Sequence, residues 1–336
     1  MSSIGLTMVR FKQSFLTKIR AKIRTMELRR LRLLHELSRL GTVAAVAEAL
    51  SYSPSSVSVQ LAQLEREAGT KLLRRAGRNV ELTAAGRRLA LYAQEALAAD
   101  EAIRTELAGA GDAPGGRLRM TFVQTPALAL LPGVFDRLAG TAPALEVEVS
   151  QRETAPALED LRSRAVDLVV GIEYEPVPVP RHRDLDRRDV LREDVLLVLH
   201  PEHPAVPKRG PVRVGVFEHA VWAAGHRSTG HDAVLRNVCN RLGGYEPEVR
   251  HRSDDALVLS ALVASGRAVT FLPALLAGAI PQIAARRLRE ERLQRTIFTA
   301  VRSTTREAPA VVAVRDALGH TARILARRER DLQLLG

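Results

Sequence analysis

Cysteine is nearly absent from this chain: Cys239 is the sole example in 336 residues. A disulfide framework is thereby excluded, and a reducing compartment, the cytoplasm, is expected. Long apolar runs are missing as well. No stretch approaches the roughly 18 residues of a membrane span, although 46% of the chain is apolar, so a soluble globular protein with no membrane partner is expected. The first 25 residues contain no acid, carry Arg10, Lys12, Lys18, Arg20, Lys22 and Arg24, and lack an uninterrupted apolar segment. They do not read as a secretory signal. The short motifs of common catalysis are missing too: there is no P-loop, nucleophile elbow or HExxH. His226 and His231, with Asp232 beside them, miss the four-residue spacing of one helix face, so no metal is expected there, and no cofactor. Glu173 and Glu175 bracket Tyr174 without an identifiable partner. No enzymatic site is expected.

What the chain does have is an uneven charge. Residues 1–90 hold 17 Lys/Arg against 6 Asp/Glu, which is most of the net +12 of the whole chain. A basic module joined to a near-neutral one suggests a polyanion for the first part. A basic tail that only aids solubility would explain residues 1–25 but not the excess of five that remains over residues 26–90.

Apolar spacing predicts a helix over residues 28–40, ended by Gly41, and a slim alanine-rich helix over 43–50 capped by Thr42. The next stretch, "SYSPSSVSVQLAQLE", crowds five serines and a proline together, yet Val57, Leu61 and Leu64 keep helical spacing. Ser53 suits the N-cap and Pro54 the first helical position. The face opposite the core, with Ser55, Val59, Ala62, Gln63 and Arg66, is neither charged like a solvated surface nor apolar like a core. Residues 74–83, "RRAGRNVELT", read as a short basic hairpin turning near Gly77 to Asn79. A long helix follows over 84–108, with Leu89, Tyr92, Ala93 and Leu97 on one stripe suited to pairing. "GAGDAPGGR", 109–117, is a hinge by composition. From 118 onward strand and helix patterns alternate, which predicts an α/β unit with a largely parallel sheet and helices on both faces. Trp222 and Phe217 are expected in its core.

Three short helices, the third serine-rich, and a basic hairpin make a winged helix-turn-helix. Residues 26–86 resemble the DNA-binding domain of the LysR-type transcriptional regulators along their whole length. The matching elements are "MELRRLRLL", Gly41-Thr42, Ala47, Leu50, Ser53, Ser58, Gln60, "LEREAGTKLLRR" and "LTAAG". The chain departs from the family at Pro54-Ser55, where Gln-Pro is common. The resemblance extends more weakly to about residue 330 through "VDLVVGI" and "LVASGRAVTFLP". It implies a two-lobed, periplasmic-binding-protein-like effector domain over 118–330, with lobe I at 118–173 and 275–330 and lobe II at 174–274. It also implies a homodimer or homotetramer, RNA polymerase as a partner, and a small-molecule co-inducer that closes the lobes and alters the spacing of the DNA-binding domains. Met26 matches the family's usual start, so residues 1–25 read as an upstream start-codon choice rather than a functional arm.

A recognition helix inserts its N-terminal end into the major groove of double-stranded DNA, so its first-turn side chains must be small. On that ground Pro54, Ser55, Ser56, Ser58, Val59, Gln60 and Gln63 are the expected contacts, with Ser53 only capping and Ser58 also packing at the flank. Arg74, Arg75 and Arg78 of the wing would meet phosphate or the minor groove. In the second module, ligands of open α/β sheets bind where strands end and helices begin. Gln124, Thr125, Gly171, Ser228, Thr229 and Ser253 occupy such junctions and are the expected effector contacts. The competing readings are a solute-binding protein or enzyme on the same lobes, and a nucleoid-type DNA-binding protein of low specificity.

Overall fold

A computed structural model describes residues 26–76, 79–109, 114–205, 210–278, 280, 282–329 and 331–335. The basic extension 1–25, Arg78 of the wing and part of the hinge, 110–113, lie outside them. Two units emerge, Met1–Leu107 and Ala108–Gly336, and each is described by itself.

In the first unit α1 (Leu28–Leu40) ends at Gly41, whose φ of 77° needs a residue without a Cβ. Helix α2 (Val43–Ala49) is capped by the Thr42 hydroxyl, which accepts from Ala45 N at 3.2 Å. Helix α3 (Pro54–Ala68) opens with Ser53 accepting from Ser56 N at 3.1 Å and stops at Gly69. Leu31, Leu34, Leu37, Val46, Val57, Leu61 and Leu64 close the core between them. Burying each large side chain stabilises the unit by about 1.5–3 kcal/mol. The hairpin β1 (Leu73–Ala76) and β2 (Asn79–Leu82) pairs Arg75 with Val80 and Arg74 with Glu81. Its base is pinned twice. Glu65 of α3 accepts from Leu72 N and Leu73 N at 2.9 and 3.0 Å, and Thr83 N donates to Leu72 O at 2.8 Å. Thr83 Oγ1 also caps α4 (Ala84–Gly109) through Gly86 N at 3.0 Å.

The second unit is built on a mixed eight-stranded sheet in the order β10–β6–β11–β5–β3–β4, with β9 and β12 also on β6. The strands are β3 (Gly115–Phe122), β4 (Ala144–Gln151), β5 (Leu168–Tyr174), β6 (Leu185–Leu199), β9 (Thr270–Pro273), β10 (Ala284–Arg286), β11 (Gln294–Arg302) and β12 (Leu332–Leu334). The expected largely parallel sheet is corrected here. Only β3 runs parallel to its neighbours β4 and β5; β11 is antiparallel to β5 and β6, and β9, β10 and β12 are antiparallel to β6. The reason is β6 itself, 15 residues long and beginning well before its apolar end, "DVLLVL". Its residues 185–194 pair with β11, whereas 195–199 pair with β9 and β10. One strand thus serves both lobes, which meet between Asp194 and Val195. The return crossing falls near Leu293, not at residue 275, because β10 stays with the second lobe. A small parallel pair, β7 (Val221–Ala224) and β8 (Glu248–Arg252), joins that lobe through the Trp222–Val269 bridge.

Helix α5 (Gln124–Thr141) packs with α10 (Pro309–Arg328) on the first lobe's sheet, and α6 (Thr154–Arg162) covers β5 and β11 through Leu158, Leu161 and Phe298. Helices α7 (Gly230–Val238), α8 (Ala256–Ala264) and the short α9 (Ala274–Ala277) belong to the second lobe. Trp222, Phe217 and Phe271 are fully buried there, with the Trp222 ring 6.3 and 5.5 Å from the other two, as the sequence led one to expect. None of the described helices is long and apolar enough to cross a membrane.

Gly86 fixes how the wing meets α4. A Cβ there would lie 2.1 Å from Leu72 O, a backbone atom that Thr83 already holds. Gly86→Ala should therefore cost about 1–3 kcal/mol through overpacking, read as a lower urea midpoint for the DNA-binding unit. An unchanged midpoint would remove this contact as a constraint.

Candidate nucleic-acid interface and ligand cleft

Burial divides the faces of α3 cleanly. Val57, Leu61 and Leu64 point into the core, while Ser55, Val59, Ala62 and Arg66 form one exposed stripe. Val59 is 61% exposed, an apolar side chain placed outward among small polar ones. Ser55 Oγ lies 3.0 Å from Ser53 Oγ. Pro54 is exposed at the first helical position and Ser56 is half-buried. Ser58 does not pack at the flank as expected. It is exposed and donates to Pro54 O at 2.9 Å, because a serine hydroxyl within a helix can share the carbonyl one turn back. The glutamines behave differently from each other. Gln60 turns toward α1, accepting from Arg30 Nε at 2.9 Å, and Arg30 also pairs with Glu67. Gln63 stays half-exposed between Glu67 and Arg66. In the wing Arg74 pairs with Glu81 at 2.7 Å, and Arg75 is exposed without a side-chain partner among the described residues. Arg66 completes the stripe; its helical spacing from Ser55 and Val59 was the signal for it.

In the second unit the first turns of α5, α6, α7 and α8 converge on one cleft. A narrow inner part of about 50 Å³ is lined by Gln124, Thr125, Glu153, Tyr174, Thr229, His231, Ser253, Asp254 and Arg295 among others. A larger outer part of about 450 Å³ shares Glu153, Tyr174, Thr229 and Asp254 and adds Pro156, Val177 to Pro180, and His226 to Gly230.

At the floor Arg295 and Glu193 form a buried pair, with Nε and Nη2 at 2.8 and 2.7 Å from Oε1. They are 2% and 0% exposed. Arg295 Nη2 also donates to Thr125 Oγ1 at 2.6 Å, and Glu193 Oε2 accepts from Leu275 N at 3.2 Å. Tyr174 lies under Arg295, and burial pushes its phenol up from the ordinary value. His231 Nδ1 accepts from Gly225 N at 2.9 Å, so Nε2 carries the proton and donates to Phe271 O at 2.8 Å. Burial pulls its pKa down, so the neutral ring is the favoured form. Gln124 bridges the lobes: its Nε2 donates to Asp255 Oδ1 at 2.8 Å and its Oε1 accepts from Ala256 N at 2.7 Å.

Five of the six expected effector residues line this cleft. Gln124 and Thr125 sit in the first turn of α5, already tied to Asp255 and Arg295. Thr229 caps α7, accepting from Asp232 N at 3.3 Å, and donates to His226 O at 2.8 Å. Ser228, with a φ of 73°, is exposed at the outer rim. Ser253 accepts from Asp255 N at 3.1 Å. Gly171 is the exception. It lies inside β5, where a Cβ would strike Phe298 Cζ at 2.7 Å, so it seats that ring instead of lining the cleft. Glu153, Tyr174, His231, Asp254 and Arg295 were not among the expected contacts. Glu153 stands at a strand–helix junction as Gln124 does, but a search for hydroxyl caps passes over a glutamate. Arg295 had no legible signal, because a buried arginine in a strand is defined by its distant partner. Glu173, left without a partner by the sequence, accepts from Arg187, Arg181 and Val179 N.

An exposed polar-apolar recognition stripe on one unit and a ligand cleft between two lobes on the other define a DNA-binding regulator with a sensor domain. Known proteins agree with that class. Residues 28–87 match the bacterial regulatory helix-turn-helix protein, lysR family, and residues 111–323 match the LysR substrate binding domain. The chain belongs to the LysR family of transcriptional regulators. It is 35% identical over 183 residues to a protein of Mycobacterium xenopi described as "Probable hydrogen peroxide-inducible genes activator", covering 52% of this chain and 94% of that one. It is 26% identical over 301 residues to "Probable HTH-type transcriptional regulator LrrA" of Synechococcus elongatus, covering 88% and 98%. Among solved structures, a full-length OxyR variant from Pseudomonas aeruginosa superposes with a TM-score of 0.62 at 21% identity, covering 92% and 98%, a likeness of fold.

Two outcomes follow. Glu193→Ala leaves Arg295 charged and buried without its partner, which should cost about 3–5 kcal/mol in denaturant unfolding; a loss under about 1 kcal/mol would mean that water reaches the pair. Cys239 is fully buried, and burial pushes its thiol up to about 11. The native protein should give no reaction with an aromatic disulfide reagent, and one thiol per chain after unfolding. Rapid native reaction would contradict the burial.

Proposed function

We propose that this regulator reads double-stranded DNA through the exposed stripe of α3 and the wing, and that a small-molecule co-inducer binds in the cleft between its lobes. The exposed stripe carries the reading: Ser55, Val59, Ala62 and Arg66 face outward from a helix whose opposite face is wholly buried. Short side chains admit the helix to the major groove, Val59 and Ala62 suit thymine methyl groups, and Arg66, Arg74 and Arg75 suit phosphates. Pro54, Ser56 and Ser58 lie at the end that enters first, and Gln63 at mid-helix is free enough to reach a base edge. Gln60 acts from the flank, holding Arg30.

One recognition helix reads a few base pairs, so a homodimer or homotetramer on repeated half-sites supplies the rest, with α4 as the pairing helix and RNA polymerase as the recipient of the output. Residues 26–83, 84–108 and 118–330 are then reader, coupler and sensor, acting in the cytoplasm without catalysis. A co-inducer shifts this machine by binding one lobe arrangement better than another. The Gln124 bridge to Asp255 and Ala256 is the contact such a shift would make or break. One relative's description names hydrogen peroxide as an inducer; a thiol sensor of that signal is disfavoured here, because the one cysteine, Cys239, is buried and its thiol is pushed up to about 11.

Genome-wide footprinting with three proteins tests the reading. The natural chain should enrich a limited set of sites, and a metabolite extract should change its occupancy. Arg75→Ala should weaken all sites alike and lower the salt slope by about one. Ala233→Trp, which fills the outer cavity from α7, should keep the sites and lose the metabolite response. Salt-dependent binding without any enriched site would sink the sequence-specific reading, and an intact response in Ala233→Trp would sink the cleft.

A further inference from the structure

The outer cavity has a wall of one kind and a floor of another. Pro156, Ile172, Val177 and Val179 make the wall apolar. Two carboxylates, Glu153 and Asp254, stand on its inner border, shared with the narrow part of the cleft. Asp254 is satisfied from one side, accepting from His226 N at 2.7 Å, with His226 Nδ1 3.0 Å from its other oxygen. Glu153 is not. It holds the position before α6 where a side chain usually turns to cap the helix, yet it makes no cap hydrogen bond. No hydrogen bond or ion pair reaches its carboxylate from the described residues.

The nearest buried cation cannot serve it. Arg295 lowers the energy of the Glu153 anion through space, but its guanidinium is bound to Glu193 and Thr125. Burial, and then the charge of Asp254, push the Glu153 carboxyl above the usual carboxylate range. A half-buried acid with a second carboxylate beside it and no donor of its own favours a cation from outside and disfavours a further anion. Arg227 stands at the outer rim of the same cavity, whereas Glu153 and Asp254 stand at its inner border.

We propose that the cavity takes a small organic amine, whose ammonium is received by Glu153 with Asp254 beside it and whose apolar body lies along the proline–valine wall. This names the chemical class of the co-inducer and rests on the reading that the cleft holds one. The volume of about 450 Å³ falls in the range of small-molecule sites, roughly 300–1,000 Å³. The ammonium offers three donors, and Glu153 is the acceptor that no donor of the described residues reaches.

The test uses the full chain and three probes with one carbon skeleton: n-pentylammonium, pentanoate and pentanol, at neutral pH. Thermal unfolding reads binding, since a ligand of the folded form raises the melting temperature with concentration. Pentylammonium should raise it, and the other two should not. Glu153→Gln should weaken the apparent affinity for pentylammonium about tenfold or more, and Glu153→Asp should recover part of it. Asp254→Asn should weaken it less. Equal affinity in Glu153→Gln overturns the proposal. Stabilisation by pentanoate instead overturns the amine class while leaving the cavity as a ligand site. A response to none of the three also overturns the amine class, and the metabolite response of Ala233→Trp then decides whether the cleft reading survives.

Discussion

Two adjacent buried acids, Glu193 and Asp194, hold the sensor unit together at the point where β6 passes from one lobe to the other. Each is at most 1% exposed. Glu193 takes Arg295 from the start of β11 and Leu275 N from α9. Asp194 takes Arg287, Arg292 and Gln294 at 2.7–2.9 Å. Buried carboxylates are costly unless fully paired, so the chain must return through this crossing in one register. The constraint explains the mixed sheet. The strand that serves both lobes meets antiparallel partners in each, and the second crossing is drawn to the same place by its arginines.

That crossing also positions the cleft. Arg295 reaches from the buried pair to Thr125 and so sets the first turn of α5. Gln124, one residue earlier, reaches the other way to the N-terminus of α8. The two neighbours therefore link a rigid junction to a separable contact. A bridge of one hydrogen bond to a carboxylate, contributing about 1.5–3 kcal/mol, and one between neutral groups, about 0.5–1.5 kcal/mol, is weak enough for a ligand to outweigh. The ion pair beneath it is not. In the proposed function, differential affinity for two lobe arrangements would act on the Gln124 bridge, while the floor stays as the ion pair sets it.

The DNA-binding unit was legible in the sequence because its determinants are local. Gly41, Thr42, Ser53-Pro54 and Gly69 are caps and stops that act within a few residues of themselves, and apolar spacing marked the core of each helix. The strand–helix junctions of the sensor were legible for the same reason, and five of six expected residues fall on the cleft. The misses are non-local. The first part of β6, "LDRRDVLRE", shows no strand alternation, and its charges are answered from elsewhere in the chain: Asp186 by Arg315, Arg187 by Glu173 and Glu193 by Arg295. Gly171 looked like a junction glycine, but its role is set by Phe298, 127 positions later. Glu153 and Arg295 carry charge into the interior, and nothing in their neighbours announces what meets it.

The same division between local and non-local bears on α4. Of the stripe that the sequence assigned to pairing, Leu89, Ala93 and Leu97 are buried and Tyr92 is 36% exposed. Within the first unit Leu89 and Ala93 belong to its own core, so a second surface must supply the pairing face. Leu91, Ile103 and Leu107 remain 63%, 50% and 70% exposed. Three large aliphatic side chains left in water on one helix favour association with another apolar surface. In the proposed dimer that surface is the same helix of the partner, and two recognition helices then come to the DNA as a pair. A reader whose third helix offers one short stripe, Ser55, Val59, Ala62 and Arg66, has too few contacts to choose a site alone, so in the proposed dimer the exposed aliphatic side chains of α4 are a condition of its specificity as much as of its assembly.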